Sequence, residues 1–114
     1  MITLWHNPRC SKSRQTLALL EDVGELVSIR KYLEDAPSTA ELEAAQIALG
    51  TPPVIQMMRK GEAVFKELGL NKDTPEADLI AAMAAHPILI ERPIAFKGTR
   101  AIIGRPPEGV KDLL

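Results

Sequence analysis

The pattern that most constrains the fold is a pair of short apolar runs separated by a helical segment near the start of the chain. Ile2-Thr3-Leu4-Trp5 predicts a buried strand, and residues 26–32, with Val, Ile and an aromatic residue among them, predict a second. Between them a helix is expected to begin near Ser11 and to end at Gly24. A strand–helix–strand unit of about 30 residues is typical of a right-handed parallel crossover. We therefore expect two parallel strands joined by a helix.

The middle of the chain is predicted to be helical. Ser38, followed three residues later by Glu41, has the pattern of a capping box at the start of a helix over residues 40–49. Three further segments are predicted: a short helix over 54–60, at most a turn at 65–68, and a helix from Pro75, at its first position, to His86.

The last quarter of the chain predicts a return to sheet structure. Strands over residues 93–96 and 100–103 are joined by the three residues Lys97-Gly98-Thr99 into a hairpin, and residues 108–114 form a short helix or tail. The fold class is therefore α/β: a mixed sheet, strand–helix–strand then strand–strand–helix, with a helical insertion. We expect one domain over residues 1–114, with the insertion at about 38–90. The residues assigned to the core are Leu17, Leu20, Leu79 and Met83.

Length, charge and cysteine content exclude several classes of protein. A chain of 114 residues with a net charge of −1 has no general attraction for nucleic acid or an anionic membrane. No apolar stretch approaches the roughly 20 residues of a membrane span, and the N-terminus lacks a signal-peptide pattern. One cysteine excludes an intrachain disulfide, and two distant histidines do not make a metal site. We expect a cytoplasmic protein with no metal and no nucleic-acid or membrane partner.

Cys10 is the candidate for chemistry. A lone cysteine is most often a small buried apolar residue, but all of its neighbours from Arg9 to Arg14 are polar. The predicted helix N-terminus and the nearby cations both favour a thiolate over a thiol. Ser13 could also donate a hydrogen bond to the sulfur. The sequence therefore predicts a thiol whose pKa lies below its ordinary value.

Several kinds of cysteine chemistry are excluded by what surrounds Cys10. A dithiol oxidoreductase needs a second cysteine where Ser13 stands, and a tyrosine-phosphatase-type loop needs an arginine where Thr16 stands. A cysteine protease would have only His6 or His86 as its base, and no cleft motif supports that interpretation. What remains is a thiolate that attacks an electrophile and depends on an external thiol to restore it.

The motif His6-Asn7-Pro8-x-Cys10-x-x-Ser13-Arg14 resembles the catalytic loop of the glutaredoxin-coupled arsenate reductases. The resemblance covers nearly the full length and continues in Tyr32-Leu33, Met57-Met58-Arg59-Lys60, Glu67-Leu68-Gly69-Leu70, His86 to Ile94, Gly98-Thr99-Arg100 and Gly104-Arg105-Pro106. It implies a thioredoxin-like fold, in which a cis proline, here Pro93, faces the reactive thiol. It also implies functions for five residues: Cys10 as nucleophile, Arg59, Arg92 and Arg105 as oxyanion ligands, and His6 as a residue that tunes the cysteine.

The resemblance implies an arsenate reductase that binds no cofactor, uses glutathione as co-substrate and depends on glutaredoxin as partner. Arsenate or a similar oxyanion suits the three arginines because planar guanidinium groups match its oxygens in pairs. Two alternatives remain open at this point. One is a thiol-stress regulator that binds RNA polymerase, and the other is a general thiol oxidoreductase acting on another small substrate. Arg9 and Lys12 make this loop more cationic than in the best-known members of the family.

Overall fold

The two ends of the chain fold together into one unit, and the middle of the chain folds into a second. The structure, a computed structural model, describes every residue from Met1 to Leu114. The first unit consists of Met1–Asp35 and Arg92–Leu114, and the second of Ala36–Glu91. None of the helices combines the length and apolar character needed to cross a membrane.

A four-stranded mixed sheet forms the centre of the first unit. Its strands are β1 (Ile2–Trp5), β2 (Val27–Arg30), β3 (Ile94–Lys97) and β4 (Arg100–Ile103), in the order β2-β1-β3-β4. Strand β1 runs parallel to β2 and antiparallel to β3, and β3 runs antiparallel to β4. Helix α1 (Ser11–Asp22) connects the parallel pair. The predicted α/β fold class and the predicted crossover are therefore confirmed.

Helix α1 ends where the sequence predicted. Gly24 adopts a positive φ of 82°, which an L side chain rarely tolerates. Its amide donates to the carbonyl of Glu21 at 3.0 Å, and the amide of Glu25 donates to the carbonyl of Leu20 at 3.1 Å. These two bonds form a Schellman motif, which satisfies the last carbonyls of the helix and turns the chain towards β2.

The core of the first unit lies between the sheet, α1 and the C-terminal segment. That segment, predicted as a short helix or tail, is a 3₁₀-helix over Pro107–Leu113. The predicted core residue Leu20 is buried, and Leu17 packs against the same cluster while remaining partly exposed. The buried members of the cluster are Ile2, Leu4, Leu20, Ala95, Val110 and Leu113.

The β3–β4 hairpin is tighter than predicted. Lys97 pairs with Arg100, so the connection is the two residues Gly98-Thr99 rather than three. Gly98 has a φ of 60°, a value that suits the first position of a two-residue hairpin loop. Strand β3 begins at Ile94, one residue later than predicted.

The second unit is helical. It contains α2 (Thr39–Ala48), α3 (Ala63–Glu67), α4 (Glu76–Ala85) and 3₁₀-helices over Val54–Met57 and Pro87–Leu89. The predicted capping box is present: the Ser38 side chain accepts from the Glu41 amide, and the Glu41 side chain accepts from the Ser38 amide, both at 3.1 Å. Leu79 and Met83 are buried, as predicted for core residues.

Three details of this unit differ from the prediction. The segment predicted as a helix over 54–60 stops at Met57, because Met58 forms an antiparallel bridge with Ile90. The turn expected at 65–68 is instead the short helix α3. Pro75 is the N-cap of α4 rather than its first helical residue, with a φ of −54° and a ψ of 140°.

Candidate functional site

The segment before Cys10 is a turn held by its own hydrogen bonds. The amide of Cys10 donates to the carbonyl of Asn7 at 3.0 Å, and the Asn7 side chain accepts from the amide of Arg9 at 3.0 Å. Arg14, on the first turns of α1, donates through Nη1 to the carbonyl of Pro8 at 2.9 Å. Cys10 is thereby fixed as the N-cap residue of α1, with extended backbone angles.

Ser13 supports this turn in a different way from that predicted. Its side chain is fully buried, and its Oγ accepts a hydrogen bond from the amide of Asn7 at 3.3 Å. The group of Ser13 that lowers the pKa of the Cys10 thiol is its backbone N–H. Ser13 therefore orients the loop and contributes a main-chain dipole to the thiol.

Two arginines that are distant from Cys10 in sequence meet its sulfur. Arg92 precedes β3 and is joined to Pro93 by a cis peptide bond, as the resemblance implied. The Arg92 side chain hydrogen-bonds to Sγ of Cys10. Arg105 follows β4, donates through Nε to the carbonyl of Arg92 at 2.7 Å, and places Nη2 3.8 Å from the same sulfur. The first unit alone thus brings the thiol and two guanidinium groups together.

The environment of Cys10 favours its ionised form. The thiol is only 8% exposed, and this burial raises its pKa. Four contributions outweigh burial and lower the pKa of the thiol below its ordinary value. They are hydrogen bonding by the Ser13 N–H, by the Arg92 side chain and by the Lys12 N–H, and the positive charge of Arg92. The Cys10 side chain accepts no capping hydrogen bond. The two N–H groups therefore act on the sulfur through their dipoles.

Gly104 holds the segment of Arg105 against α1. Its amide donates to the carbonyl of Pro93 at 2.8 Å. A Cβ at this position would lie 2.7 Å from Oγ1 of Thr16 and 3.0 Å from Cγ of Pro93. Such distances leave no room for a side chain. The resemblance included Gly104 in the motif Gly104-Arg105-Pro106, but a glycine after a strand gives no signal of what its backbone approaches.

His6 lies at the end of β1 and is 5% exposed, with no hydrogen-bond partner at Nδ1. Burial, followed by the charges of Lys31 and Arg14, lowers its pKa below the ordinary value. Its imidazole is therefore neutral at neutral pH. It is not among the groups that lower the pKa of Cys10, so a role as a cation beside the thiolate gains no support here.

Arg59 belongs to the second unit, where two carboxylates hold it. Its Nη1 lies 3.2 Å from Oε1 of Glu62, and its Nε lies 4.0 Å from Oε1 of Glu91. Its amide donates to the carbonyl of Leu89 at 2.7 Å. Glu62 and Glu91 were not identified from the sequence as partners of Arg59. Only the i,i+3 spacing of Glu62 offered a signal, and only if that segment formed a helix or turn.

Known proteins resemble this chain over nearly its whole length. The model of the ArsC family matches residues 5–113. A protein of Haemophilus influenzae named arsenate reductase is 46% identical over 99% of this chain and 98% of its own length. A protein of Neisseria meningitidis with the same name is 42% identical over 99% and 97%.

Solved structures agree with these sequence relatives. A structure described as arsenate reductase from Vibrio cholerae has 48% sequence identity and a TM-score of 0.96, and covers 99% of this chain and 97% of that one. The likeness therefore extends from sequence to the positions of the backbone. With its thioredoxin-like α/β fold, this chain belongs to the ArsC family.

Proposed function

We propose that this protein is an arsenate reductase that uses Cys10 as its nucleophile. The observation that carries the proposal is the closeness of Sγ to the guanidinium groups of both Arg92 and Arg105, with the pKa of the thiol lowered. Relatives named arsenate reductase cover nearly the whole chain and support the choice of substrate. Nearby cations stabilise reactive thiolates of other kinds as well. Two guanidinium groups, each with paired N–H donors, are in addition suited to binding a tetrahedral oxyanion.

In the first step, the Cys10 thiolate attacks the arsenic atom and a sulfur–arsenic bond forms, while the bond to an arsenate hydroxyl group breaks and that group takes a proton from solvent and leaves as water. A thiolate and an arsenate dianion repel each other, so the oxyanion must be neutralised before attack. Arg92 and Arg105 are the proposed ligands in the first unit. Arg59 is proposed as the third ligand on the family resemblance, and it would exchange its pairing with Glu62 and Glu91 for arsenate oxygens.

In the second step, an external thiol attacks the sulfur of Cys10. The sulfur–arsenic bond breaks with its electron pair going to arsenic, so arsenic is reduced from As(V) to As(III) and leaves as arsenite. Cys10 remains as a mixed disulfide with the external thiol. A second thiol exchange releases Cys10 and yields an external disulfide. Cys10 is the only cysteine of the chain, so both thiols come from elsewhere.

We propose glutathione as the first external thiol and glutaredoxin as the protein that resolves the mixed disulfide. No bound cofactor enters either step, because the electrons are delivered by thiols. The reducing cytoplasm supplies such thiols and is the proposed location.

The experiment is to follow arsenate-dependent NADPH oxidation with glutathione, glutathione reductase and glutaredoxin present. Turnover is expected in the unaltered protein and should be absent in Cys10→Ser. Arg92→Lys should raise the KM for arsenate about tenfold, because one ammonium group cannot replace the two parallel hydrogen bonds of a guanidinium group. Full activity of Cys10→Ser, or no turnover above background, would refute the proposal.

Two other outcomes would favour the alternatives. Reduction of a glutathione mixed disulfide without arsenate turnover would indicate a general thiol oxidoreductase. Retention of RNA polymerase subunits by the immobilised protein, again without turnover, would indicate a thiol-stress regulator.

A further inference from the structure

A pocket of about 220 Å³ lies beside the Cys10 loop in the first unit. One wall is the loop itself, residues 6–9, and the other is formed by Lys31, Leu33 and Glu34 after β2. The loop wall runs directly into Cys10, whose amide is bonded to the Asn7 carbonyl at 3.0 Å. A molecule in this pocket would therefore contact the loop that leads into the nucleophile, although Cys10 itself does not line the pocket.

The pocket carries charges of both signs. Arg9 and Lys31 contribute positive charge and Glu34 negative charge, and all three side chains are exposed. None of the three forms an ion pair within the protein, so none has to break one in order to bind a ligand. Leu33, 43% exposed, adds an apolar surface between them. This combination suits a small zwitterion that has carboxylates, an ammonium group and a short apolar or thiol-bearing body.

His6 gives an independent sign that the pocket binds a polar ligand. His6 lines the pocket and is only 5% exposed, and its ring nitrogen Nδ1 has no hydrogen-bond partner. Buried polar atoms in folded proteins are nearly always hydrogen-bonded. A ligand with a donor or acceptor near the ring could remove this deficit after a small shift of the imidazole.

We propose that this pocket is the binding site of the small zwitterionic peptide thiol that restores Cys10. Lys31 and Arg9 bind its carboxylates, Glu34 binds its ammonium group, and its sulfur is directed towards Cys10. The identity of the thiol as glutathione rests on the proposed function, whereas the pocket and its charges do not. A pocket of this size admits part of a tripeptide, which leaves the rest of the thiol in solvent.

The test uses disulfide exchange, so that arsenate takes no part. The Cys10 thiolate attacks oxidised glutathione, a Cys10–glutathione disulfide forms, and one glutathione thiolate leaves. The second-order rate constant is measured by mass spectrometry and compared with that for bis(2-hydroxyethyl) disulfide, which carries no charge. The neutral reagent reports the reactivity of the thiolate, so the ratio of the two rate constants isolates recognition of charge.

Lys31→Glu should lower this ratio about tenfold, because an attraction is replaced by a repulsion. Lys72→Glu is the matched control, since it makes the same change of charge at an exposed lysine outside the pocket and should leave the ratio unchanged. Glu34→Gln should slow exchange with oxidised glutathione about threefold. It should not slow exchange with the disulfide of N-acetylcysteine, which lacks the ammonium group.

An unchanged ratio in Lys31→Glu, or an equal fall in Lys72→Glu, would overturn the proposal. The proposal would also be overturned if Lys31→Glu changed only the glutaredoxin-catalysed release of glutathione, because the pocket would then be a contact surface for a protein. The proposed function can fail separately. A protein that does not reduce arsenate but shows the expected ratios would keep the thiol site and lose only arsenate as substrate.

Discussion

Replacing Gly104 by alanine should destabilise the protein and disturb the thiol site together. The added Cβ would lie 2.7 Å from Oγ1 and 3.3 Å from Cγ2 of Thr16, and 3.0 Å from Cγ of Pro93. Neither neighbour moves easily, because Thr16 is fully buried with a branched Cβ and Pro93 is a ring. Relief must come from the backbone, and overpacking of this kind costs about 1–3 kcal/mol.

The assay is urea unfolding of Gly104→Ala followed by circular dichroism, with the midpoint shift converted through an unchanged m-value. In thermal unfolding the same loss corresponds to roughly 4 °C for each kcal/mol in a domain of this size. Because Gly104 directly precedes Arg105, the displacement should also move the guanidinium group that lies 3.8 Å from Sγ of Cys10. The rate of Cys10 alkylation should therefore fall at neutral pH.

Thr16→Ala provides the decisive comparison. It removes two of the three close contacts, and it breaks no hydrogen bond because Oγ1 of Thr16 has no partner. The double variant should therefore recover about 1 kcal/mol relative to the sum of the single changes. Gly61→Ala is the control, since a Cβ there meets nothing within 4 Å and no positive φ is required. A Gly104→Ala variant as stable as Gly61→Ala, or the absence of coupling to Thr16, would refute the reasoning.

Three further predictions follow from the site and the caps. Arg92→Met should raise the pKa of Cys10, because a hydrogen bond and a positive charge are lost. The pH dependence of the rate of iodoacetamide alkylation measures this pKa, and an unchanged pH dependence would contradict the prediction. Ser38→Ala should lower the free energy of unfolding by about 1 kcal/mol in urea, and no loss would mean that the capping box contributes nothing. His6 has a lowered pKa in the folded state, so the unfolded chain binds its proton first as the pH falls. The free energy of unfolding should therefore decline below pH about 6.5, and decline less in His6→Gln; equal slopes would exclude His6 as the cause.

Local signals in the sequence were sufficient for most elements of the fold. The capping box of Ser38 and Glu41 and the Schellman end at Gly24 involve residues a few positions apart, so they can be recognised before any tertiary contact exists. Two of the errors lie where backbone pairing overrides the preference of a single segment. The helix expected over 54–60 is cut short because Met58 bridges to Ile90, and the hairpin is tightened because Lys97 pairs with Arg100.

The candidate site divides in the same way. Cys10 could be identified as a candidate for chemistry from its polar neighbours and its place before a helix, because the helix N-terminus acts over a single turn. Arg105 could be selected only through the family resemblance, and Arg92 through the resemblance together with its place before Pro93 at the start of a predicted strand. No local pattern distinguishes an arginine that contacts a sulfur from one in solvent, because the contact depends on residues far away in the sequence.

The sequence by itself determined the order of strands and helices and the single thiol, so any second thiol that reacts with Cys10 comes from outside the chain. Only the tertiary structure decided which groups surround that thiol. Arg92 and Arg105 reach Sγ because β3 lies beside β1 and Gly104 allows the backbone to approach α1. These contacts join residues more than eighty positions apart, and such contacts depend on how the sheet closes rather than on the composition of any one segment.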